Sequence, residues 1–324
     1  MITPDTGLPA IRPIELEEIE AARDRIAGTI VRTPLLRLQI GVPRPEIYIK
    51  LESLQPINSF KLRGAANAVA KLPPERRAAG VWTISAGNAG QGVAYAARQA
   101  GVPCTVVVIE TAPATKVERM QALGARLVKA SFDACWEAMD ARAFPGVAGT
   151  FVHPFDDDDF IAGNATLGLE IVEDLPDVAT VVTAIGGGGL IVGVASGVRA
   201  KKKGVRILGA EPETAAPGAL SFSSGTASKF GRWRATFVDG AGGKSIFPRM
   251  WDRMKDIVDG SIVVTLDDVK RAMRTLAERA RVISEGAGAL SVAAALTGKA
   301  GSGPIVCVVS GGNIDLATFS DLIR

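Results

Sequence analysis

Apolar positions along this chain recur with two different periods, and stretches of the two kinds alternate. Short, nearly continuous apolar runs are bounded by glycine, proline or polar residues, which is typical of buried parallel strands. Between these runs apolar residues fall at helical spacing, as for Leu16, Ile19 and Ile26. The predicted strands span residues 47–51, 81–84, 104–109, 126–129, 180–185, 207–210, 262–265 and 305–309. The predicted helices span 16–30, 65–71, 132–143 and 191–200, and others begin near residues 91 and 115.

This alternation predicts β-α-β units and therefore an α/β fold built on mainly parallel sheets. At 324 residues the chain is long for one hydrophobic core, so two domains are expected. An acidic run at 156–159 precedes a long helical stretch, where its charges complement the helix dipole; we favour this over a metal site. His153 precedes Pro154, and we interpret it as a positioned loop residue rather than as a general base.

Composition and charge exclude several classes of function. Aromatic residues make up 5% of the chain and the net charge is only +3, which disfavours nucleic-acid binding. Neither a membrane span nor a secretory signal is visible, so a soluble cytoplasmic protein is predicted. The three cysteines lie in or beside apolar stretches without metal-ligand spacing, which suits a reducing compartment.

The strand predicted at 180–185 runs directly into four consecutive glycines and then a helix. Glycines at a helix N-terminus let backbone N–H groups converge on a phosphate, which the helix dipole also favours. The glycine pattern of dinucleotide-binding proteins would need a third glycine where Ile191 or Val192 stands, so a dinucleotide is disfavoured. A P-loop at 240–245 is rejected because its first required glycine falls on Val238. The candidate phosphate-binding residues are Gly186, Gly187, Gly188, Gly189 and Leu190.

Two more strand ends carry small polar residues. The first, at residues 85–89, joins a strand to a helix N-terminus. It suits a carboxylate ligand held by backbone N–H groups and a hydroxyl. The second places Ser310 at the carboxyl end of the strand 305–309, the edge at which open α/β sheets bind ligands. The candidate carboxylate-binding residues are Ser85, Ala86, Gly87, Asn88 and Ala89.

Lys61 begins a helix in apolar company, between Phe60 and Leu62. Desolvation and the positive end of the helix dipole both favour the neutral, nucleophilic amine that a Schiff-base lysine needs. From residues 58–64 alone, an ordinary surface lysine is an equally good interpretation. A phosphate cradle, a carboxylate loop, a strand-end serine and an amine are, however, the parts that hold pyridoxal phosphate (PLP) and an amino acid.

At this point the chain resembles the fold-type II PLP enzymes, specifically the serine/threonine dehydratase (threonine ammonia-lyase) and serine racemase group. That resemblance implies a tryptophan synthase β-like fold with two domains, each an open, mainly parallel sheet flanked by helices. The large PLP-binding domain would take 1–77 plus 156–324, and the small substrate-loop domain 78–155. The matching motifs are Arg32-Thr33-Pro34-Leu35, Ser59-Phe60-Lys61, Ser85-Ala86-Gly87-Asn88, Gly186 to Leu190, Glu285-Gly286-Ala287-Gly288 and Ser310-Gly311-Gly312-Asn313.

The resemblance also implies roles for individual residues. Lys61 would be both the Schiff-base lysine and the base that removes the Cα proton of the substrate. Phe60 would pack on the cofactor ring, Asn88 would bond its hydroxyl and Ser310 would meet its pyridine nitrogen. Gly186 to Leu190 would hold the phosphate, and the loop from Ser85 to Ala89 the substrate carboxylate.

The function implied is α,β-elimination from a β-hydroxy-α-amino acid of the threonine or serine type, giving a 2-oxo acid and ammonia, in a homodimer. Alternatives on the same scaffold are a phenylserine or 3-hydroxyaspartate dehydratase and, less favoured, a serine racemase or a β-replacement synthase. A non-catalytic amino-acid or phosphate-binding module is a further alternative, against which Lys61 argues.

Two departures from the family pattern bear on specificity. Racemases of the group carry a serine where this chain has Ala86, so we predict dehydration without appreciable racemisation. The group commonly has histidine where this chain has Ala89, and the smaller residue would admit a larger β-substituent such as an aryl group. The stretch 211–215 resembles the divalent-cation site of racemase-like members, but its usual downstream aspartate falls on Pro217, so no metal is expected.

Overall fold

The computed structural model describes residues 8, 10–41, 45–112 and 114–324, and contains two separate β-sheets. Its strands are β1 (Leu35–Arg37), β2 (Ile47–Leu51), β3 (Val81–Ile84), β4 (Cys104–Ile109), β5 (Arg126–Ala130), β6 (Thr150–Phe151), β7 (Thr180–Ala184), β8 (Arg206–Pro212), β9 (Gly260–Val264) and β10 (Ile305–Val309). Its α-helices are α1 (Leu16–Ile26), α2 (Lys61–Ala70), α3 (Pro74–Arg77), α4 (Asn88–Ala100), α5 (Ala114–Ala122), α6 (Phe132–Ala141), α7 (Asp158–Asp174), α8 (Gly189–Lys201), α9 (Pro217–Ser224), α10 (Pro248–Met254), α11 (Leu266–Ala280), α12 (Gly286–Leu296) and α13 (Leu316–Leu322).

The two sheets divide the strands by their position in the chain. The six-stranded sheet has the order β1-β2-β10-β7-β8-β9 and is parallel except for β1, which pairs antiparallel with β2. The four-stranded sheet has the order β5-β4-β3-β6 and is parallel throughout. The α/β class with mainly parallel sheets is therefore confirmed, whereas the domain limits at 78 and 155 stay a prediction.

Strand β10 lies at the centre of the larger sheet, and its burial follows from that position. It pairs with β2 on one side and β7 on the other, and all five of its residues are buried. An uninterrupted apolar strand such as Ile305–Val309 is what a sheet covered by helices on both faces requires. Its carboxyl end consequently opens beside those of β2 and β7, where the candidate site residues begin.

Helices α7 and α8 pack unusually closely, and glycine permits this approach. A Cβ on Gly197 would lie 2.1 Å from the carbonyl oxygen of Ala165, and one on Gly168 would lie 2.5 Å from that of Val194. The contact fixes α8 against α7 along its length. Because α8 begins at the glycine run, this packing positions that run as well.

The structure corrects several predicted boundaries. Helix α1 ends at Ile26 rather than at residue 30, because the chain turns there with the N–H of Thr29 bonded to the carbonyl of Ile26. Helix α4 begins at Asn88, three residues before the predicted start, and α8 begins within the glycine run at Gly189. Strands β1 and β6 were not predicted, since they contain three and two residues. Within the described chain, no helix combines the length and apolar character needed to cross a bilayer.

Candidate functional site

Lys61 is the first residue of α2 and lies in a half-buried, aromatic environment. Its Nζ donates a hydrogen bond of 2.6 Å to the carbonyl oxygen of Pro154. The same atom lies 5.2 Å from the ring centre of Phe60 and 5.4 Å from that of Phe160. Burial lowers the pKa of Lys61 from 10.5 to about 8, so the neutral amine is accessible near neutral pH.

The turn before Lys61 is fastened to the end of β10. Asn58 adopts a left-handed conformation with φ of 56°, which an asparagine tolerates better than most residues. The N–H of Phe60 donates to the carbonyl of Ser310 at 3.0 Å, and the N–H of Gly312 donates to that of Asn58 at 2.9 Å. These bonds bring the lysine turn and the strand-end serine together, as the sequence predicted only by resemblance.

The glycine run forms a tight turn into α8. Gly188 has a φ of 92°, a conformation suited to glycine, and is the N-cap of the helix. A Cβ on Gly187 would lie 2.4 Å from the ring of Phe155, and one on Gly189 would lie 2.9 Å from its Cα. The side chain of Asn164 donates to the carbonyl of Gly189 at 3.1 Å. The first N–H groups of α8 therefore emerge from a turn without side chains, which suits a bound phosphate.

Asn88, at the start of α4, belongs to a network that links the two sheets. Its Nδ2 donates to Glu285 Oε1 at 2.7 Å, and its Oδ1 accepts from Nδ2 of Asn313 at 2.8 Å. Arg119 donates in turn to Oδ1 of Asn313 at 2.8 Å. Since an amide nitrogen carries two hydrogens, Asn88 keeps one donor for a ligand while its orientation is fixed.

Glu285 and Asn313 both bond Asn88, and the sequence assigned no role to either of them. Both lie in motifs that mark the family resemblance, but their partner Asn88 is 197 and 225 residues away in the chain. Burial, followed by the negative charge of Asp239, raises the pKa of Glu285 to about 7. Only the folded structure shows that these residues orient Asn88.

The predicted carboxylate-binding loop lies beside Lys61. Ser85 to Asn88 are half-buried and Ala89 is buried. The hydroxyl of Ser85 accepts the N–H of Gly87 at 3.1 Å, which shapes the turn and leaves its own hydrogen available. A Cβ on Gly92 would lie 3.1 Å from the carbonyl oxygen of Lys61, so α4 crosses α2 at the lysine itself.

His153 lies in the segment that contacts Lys61, and its ring holds that segment in shape. Its Nδ1 accepts the N–H groups of Asp156 at 2.9 Å and of Phe155 at 3.3 Å. Burial, with Arg142 nearby, lowers the pKa of His153 to about 3. A neutral imidazole engaged in this way agrees with a positioned loop residue and is a poor general base.

The acidic run joins elements of both sheets through ion pairs and a helix cap. Asp156 accepts from Arg142 at 2.8 Å and from Arg249 and Arg253 at 3.0 Å. The next carboxylate, Asp157, caps α7 by accepting the N–H of Phe160. Among the residues that the structure describes, no group of three histidine, cysteine or acidic side chains could hold a metal ion.

Glu211, in the stretch that resembles a cation site, has its oxygens bound by the protein. They accept the N–H groups of Gly218 and Ala219, both at 2.7 Å, and the hydroxyl of Ser261 at 2.7 Å. The carboxylate thus joins the start of α9 to β9.

The four sequence-predicted parts converge on one region. Lys61 is connected to the glycine run through Pro154 and Phe155, and to Ser310 through the turn at 58–60. An amine of lowered pKa, a glycine turn at a helix N-terminus and a strand-end hydroxyl fit the aldehyde, phosphate and pyridine nitrogen of PLP. The residues present therefore fit this cofactor.

Comparison with known proteins also indicates a PLP enzyme. The chain is 38% identical to an L-threonine ammonia-lyase of Thermotoga maritima, over 96% of this chain and 78% of that protein. It is 36% identical to a catabolic L-threonine dehydratase of Staphylococcus aureus, over 100% of this chain and 96% of that one. The fold matches that of maize serine racemase with a TM-score of 0.88 and 33% identity, covering 96% and 97% of the two chains. Residues 26–311 match the family described as pyridoxal-phosphate dependent enzyme, and the chain belongs to that family.

Proposed function

We propose that this protein is an ammonia-lyase that converts a β-hydroxy-α-amino acid of the threonine or serine type to a 2-oxo acid and ammonia. One observation carries the proposal: Lys61 Nζ lies 2.6 Å from the carbonyl of Pro154, and the adjacent Phe155 packs on the glycine run. A nucleophilic amine and a phosphate cradle thus meet within one site. The names of the threonine ammonia-lyase and dehydratase relatives support the reaction class.

Residues of both sheets would hold the cofactor. Lys61 would bind it through its amine, Gly186 to Leu190 through its phosphate and Ser310 through its pyridine nitrogen. Asn88 would bond the ring hydroxyl with its remaining donor, and Phe60 would pack on the ring. Bound PLP supplies an electron sink for the charge that develops at the substrate Cα.

The protein's own residues orient the substrate and move its proton. The loop from Ser85 to Ala89 would bind the carboxylate through backbone N–H groups and the Ser85 hydroxyl. Lys61 would remove the Cα proton as general base, and the Cβ hydroxyl would leave with a proton as water. Ala86 has no proton to donate to the opposite face of Cα. Lys61 is therefore the base of the reaction, and elimination rather than racemisation is expected.

The assembly and location of the protein are proposals as well. We propose a cytoplasmic homodimer that acts on a small amino acid and binds neither nucleic acid nor membrane. The low aromatic content and small net charge support the last point. Light scattering coupled to size exclusion tests the dimer, which a mass near 33.7 kDa, that of one chain, would contradict.

The function is tested by a screen for 2-oxo acid and ammonia over serine, threonine, 3-hydroxyaspartate and phenylserine. The purified protein should show the visible absorption of bound PLP, and at least one substrate should give oxo acid and ammonia in equal amounts. A protein that absorbs but releases neither product, and instead joins an added thiol to serine, would be a β-replacement synthase. A protein without this absorption after incubation with PLP would contradict the proposal.

A further inference from the structure

A row of aromatic side chains runs from the glycine turn toward the surface. We call Phe155, Phe247, Trp136 and Phe132 the aromatic row. The ring centres of Phe155 and Phe247 are 5.4 Å apart, those of Phe247 and Trp136 are 5.2 Å apart, and those of Trp136 and Phe132 are 6.1 Å apart. Aromatic residues make up only 5% of the chain, so this concentration sets the region apart.

The inner end of the aromatic row is next in the chain to the residue that binds the Lys61 amine. Phe155 directly follows Pro154, whose carbonyl oxygen accepts the hydrogen bond from Lys61 Nζ. Its ring packs where a Cβ of Gly187 would otherwise be, and its Cα and Cβ lie where a Cβ of Gly189 would be. Phe155 thus borders the proposed phosphate site and directly follows the residue bonded to the amine, and it is half-buried rather than enclosed.

The outer end is not part of the hydrophobic core. Trp136 and Phe132 on α6 are 41% and 48% exposed. Phe247 directly precedes α10, a helix beside the larger sheet, and its ring contacts Trp136 on α6, a helix beside the smaller sheet. A contiguous set of exposed rings of this kind is a feature of ligand-binding surfaces.

The charged groups that border the aromatic row leave its apolar character intact. Arg142, Arg249 and Arg253 converge on Asp156, the residue after Phe155. Lys244 lies over the ring of Phe132 at 4.6 Å and over that of Trp233 at 4.8 Å, a cation–π arrangement that joins α6 to the loop before α10. The row therefore offers ring faces and edges to a ligand.

We propose that the aromatic row is the subsite for the β-substituent of the substrate, and that the substrate is a β-aryl-β-hydroxy-α-amino acid such as phenylserine. This inference rests on the proposed ammonia-lyase function and specifies its substrate. A phenyl ring on Cβ stacks or packs edge-on against Phe155, Phe247 and Trp136, whereas the methyl group of threonine fills little of that surface. Ala89, in the carboxylate loop, is buried and has only a methyl side chain, smaller than the histidine common in the group.

The chemistry is unchanged by the aryl group. Lys61 takes the Cα proton, the Cβ–O bond breaks and the hydroxyl leaves with a proton as water. The released enamine becomes an imine, which one water molecule hydrolyses. The net reaction converts phenylserine to phenylpyruvate and ammonia, with no oxidant or reductant.

The test compares kcat/KM for phenylserine, threonine and 3-hydroxyaspartate in the holoenzyme and in three variants. Wild type should prefer phenylserine over threonine by about tenfold or more, because an apolar pocket discriminates at this level. Trp136→Ala and Phe247→Leu should each lower the phenylserine-to-threonine ratio about tenfold while activity on threonine persists. Glu137→Ala, an exposed neighbour of Trp136 on the same helix, is the matched control and should leave the ratio unchanged.

Each other outcome overturns the inference in a recognisable way. Turnover of threonine with weak activity on phenylserine would contradict the aryl preference and leave the ammonia-lyase function standing. A preference for 3-hydroxyaspartate would make Lys244 the partner of a second carboxylate instead. An unchanged ratio in Trp136→Ala, combined with loss of the dimer, would assign the aromatic row to a contact between subunits. No oxo acid from any substrate would contradict the proposed function itself.

Discussion

Replacing Arg63 should destabilise the protein strongly, because this side chain neutralises two buried carboxylates. Its Nε and Nη2 donate to Glu52 at 2.8 and 2.9 Å, and its Nη1 and Nη2 donate to Glu170 at 2.7 and 3.0 Å. Arg63 and Glu52 are wholly buried and Glu170 is 3% exposed. Lys50, also buried, bonds Glu170 at 2.8 Å. The cluster fastens α2, two residues after Lys61, to β2 and α7.

The size of this destabilisation follows from the burial and charge of the cluster. In Arg63→Met the side chain keeps much of its volume, but Glu52 loses its counterion and Glu170 retains only Lys50 close by. Removing one partner of a buried ion pair costs about 3–5 kcal/mol. For a chain of 324 residues this corresponds to a fall in Tm of about 4–7 °C. Arg23→Met is the matched control, because its partner Glu173 is exposed and such a pair contributes about 1 kcal/mol or less.

The loss of stability in Arg63→Met should also depend on pH, and differential scanning calorimetry at several pH values checks this. Burial alone would raise the pKa of Glu52, but the charge and hydrogen bonds of Arg63 hold it below its usual value. A carboxylate with a lowered folded-state pKa contributes stability above its unfolded pKa and loses it as pH falls. Without Arg63, burial raises the pKa of Glu52, so the variant takes up a proton there at a higher pH than wild type does. The Tm difference between wild type and Arg63→Met should therefore shrink as the pH falls from neutral through the variant's raised pKa toward the lowered pKa of the wild type. A difference like that of Arg23→Met, or one independent of pH, would refute this reasoning.

Three further predictions concern the site. The rate at which the apoenzyme binds PLP should rise about tenfold per pH unit up to about pH 8 and then level off, because Lys61 must be neutral to react. A rate that levels off only near pH 10.5 would show that the pKa of Lys61 is not lowered. Gly189→Ala should weaken PLP binding, measured by fluorescence titration, at least tenfold, because its Cβ would lie 2.9 Å from Cα of Phe155; Gly28→Ala, with no atom within 4 Å, should bind normally. Ala86→Ser should convert L-serine to D-serine, which chiral chromatography detects. Equally negligible racemisation in wild type and variant would show that the missing proton donor at residue 86 does not prevent racemisation.

Much of the fold could be predicted because its strands are continuous apolar runs with clear limits. The predicted limits of β2, β3, β4 and β10 agree with the structure residue for residue. Lys61 does begin a helix, as expected, although the predicted helical run covered only residues 65–71. Local signals suffice where the residues that define an element are neighbours in the chain. Strands as short as β6 were missed because two residues establish no pattern.

The sequence could not show interactions between side chains that are distant in the chain. Asn88, Glu285 and Asn313 each lie in a visible motif, but their hydrogen bonds depend on how the two sheets meet. The pairing of Arg63 with Glu170, across 107 residues, depends on the packing of α2 against α7. The aromatic row is assembled from three separate segments in the same way. Tertiary packing, which has no local period, creates all three arrangements.

The most direct test of the whole account replaces Lys61 with alanine and measures PLP absorption and oxo-acid formation in the same preparation. Lys61→Ala should fold but lose both the visible absorption of covalently bound PLP and all turnover, because Lys61 is the base that removes the Cα proton. Lys71→Ala, which changes a 40% exposed lysine side chain at the other end of α2, should keep both. Turnover that survives in Lys61→Ala would contradict the central claim.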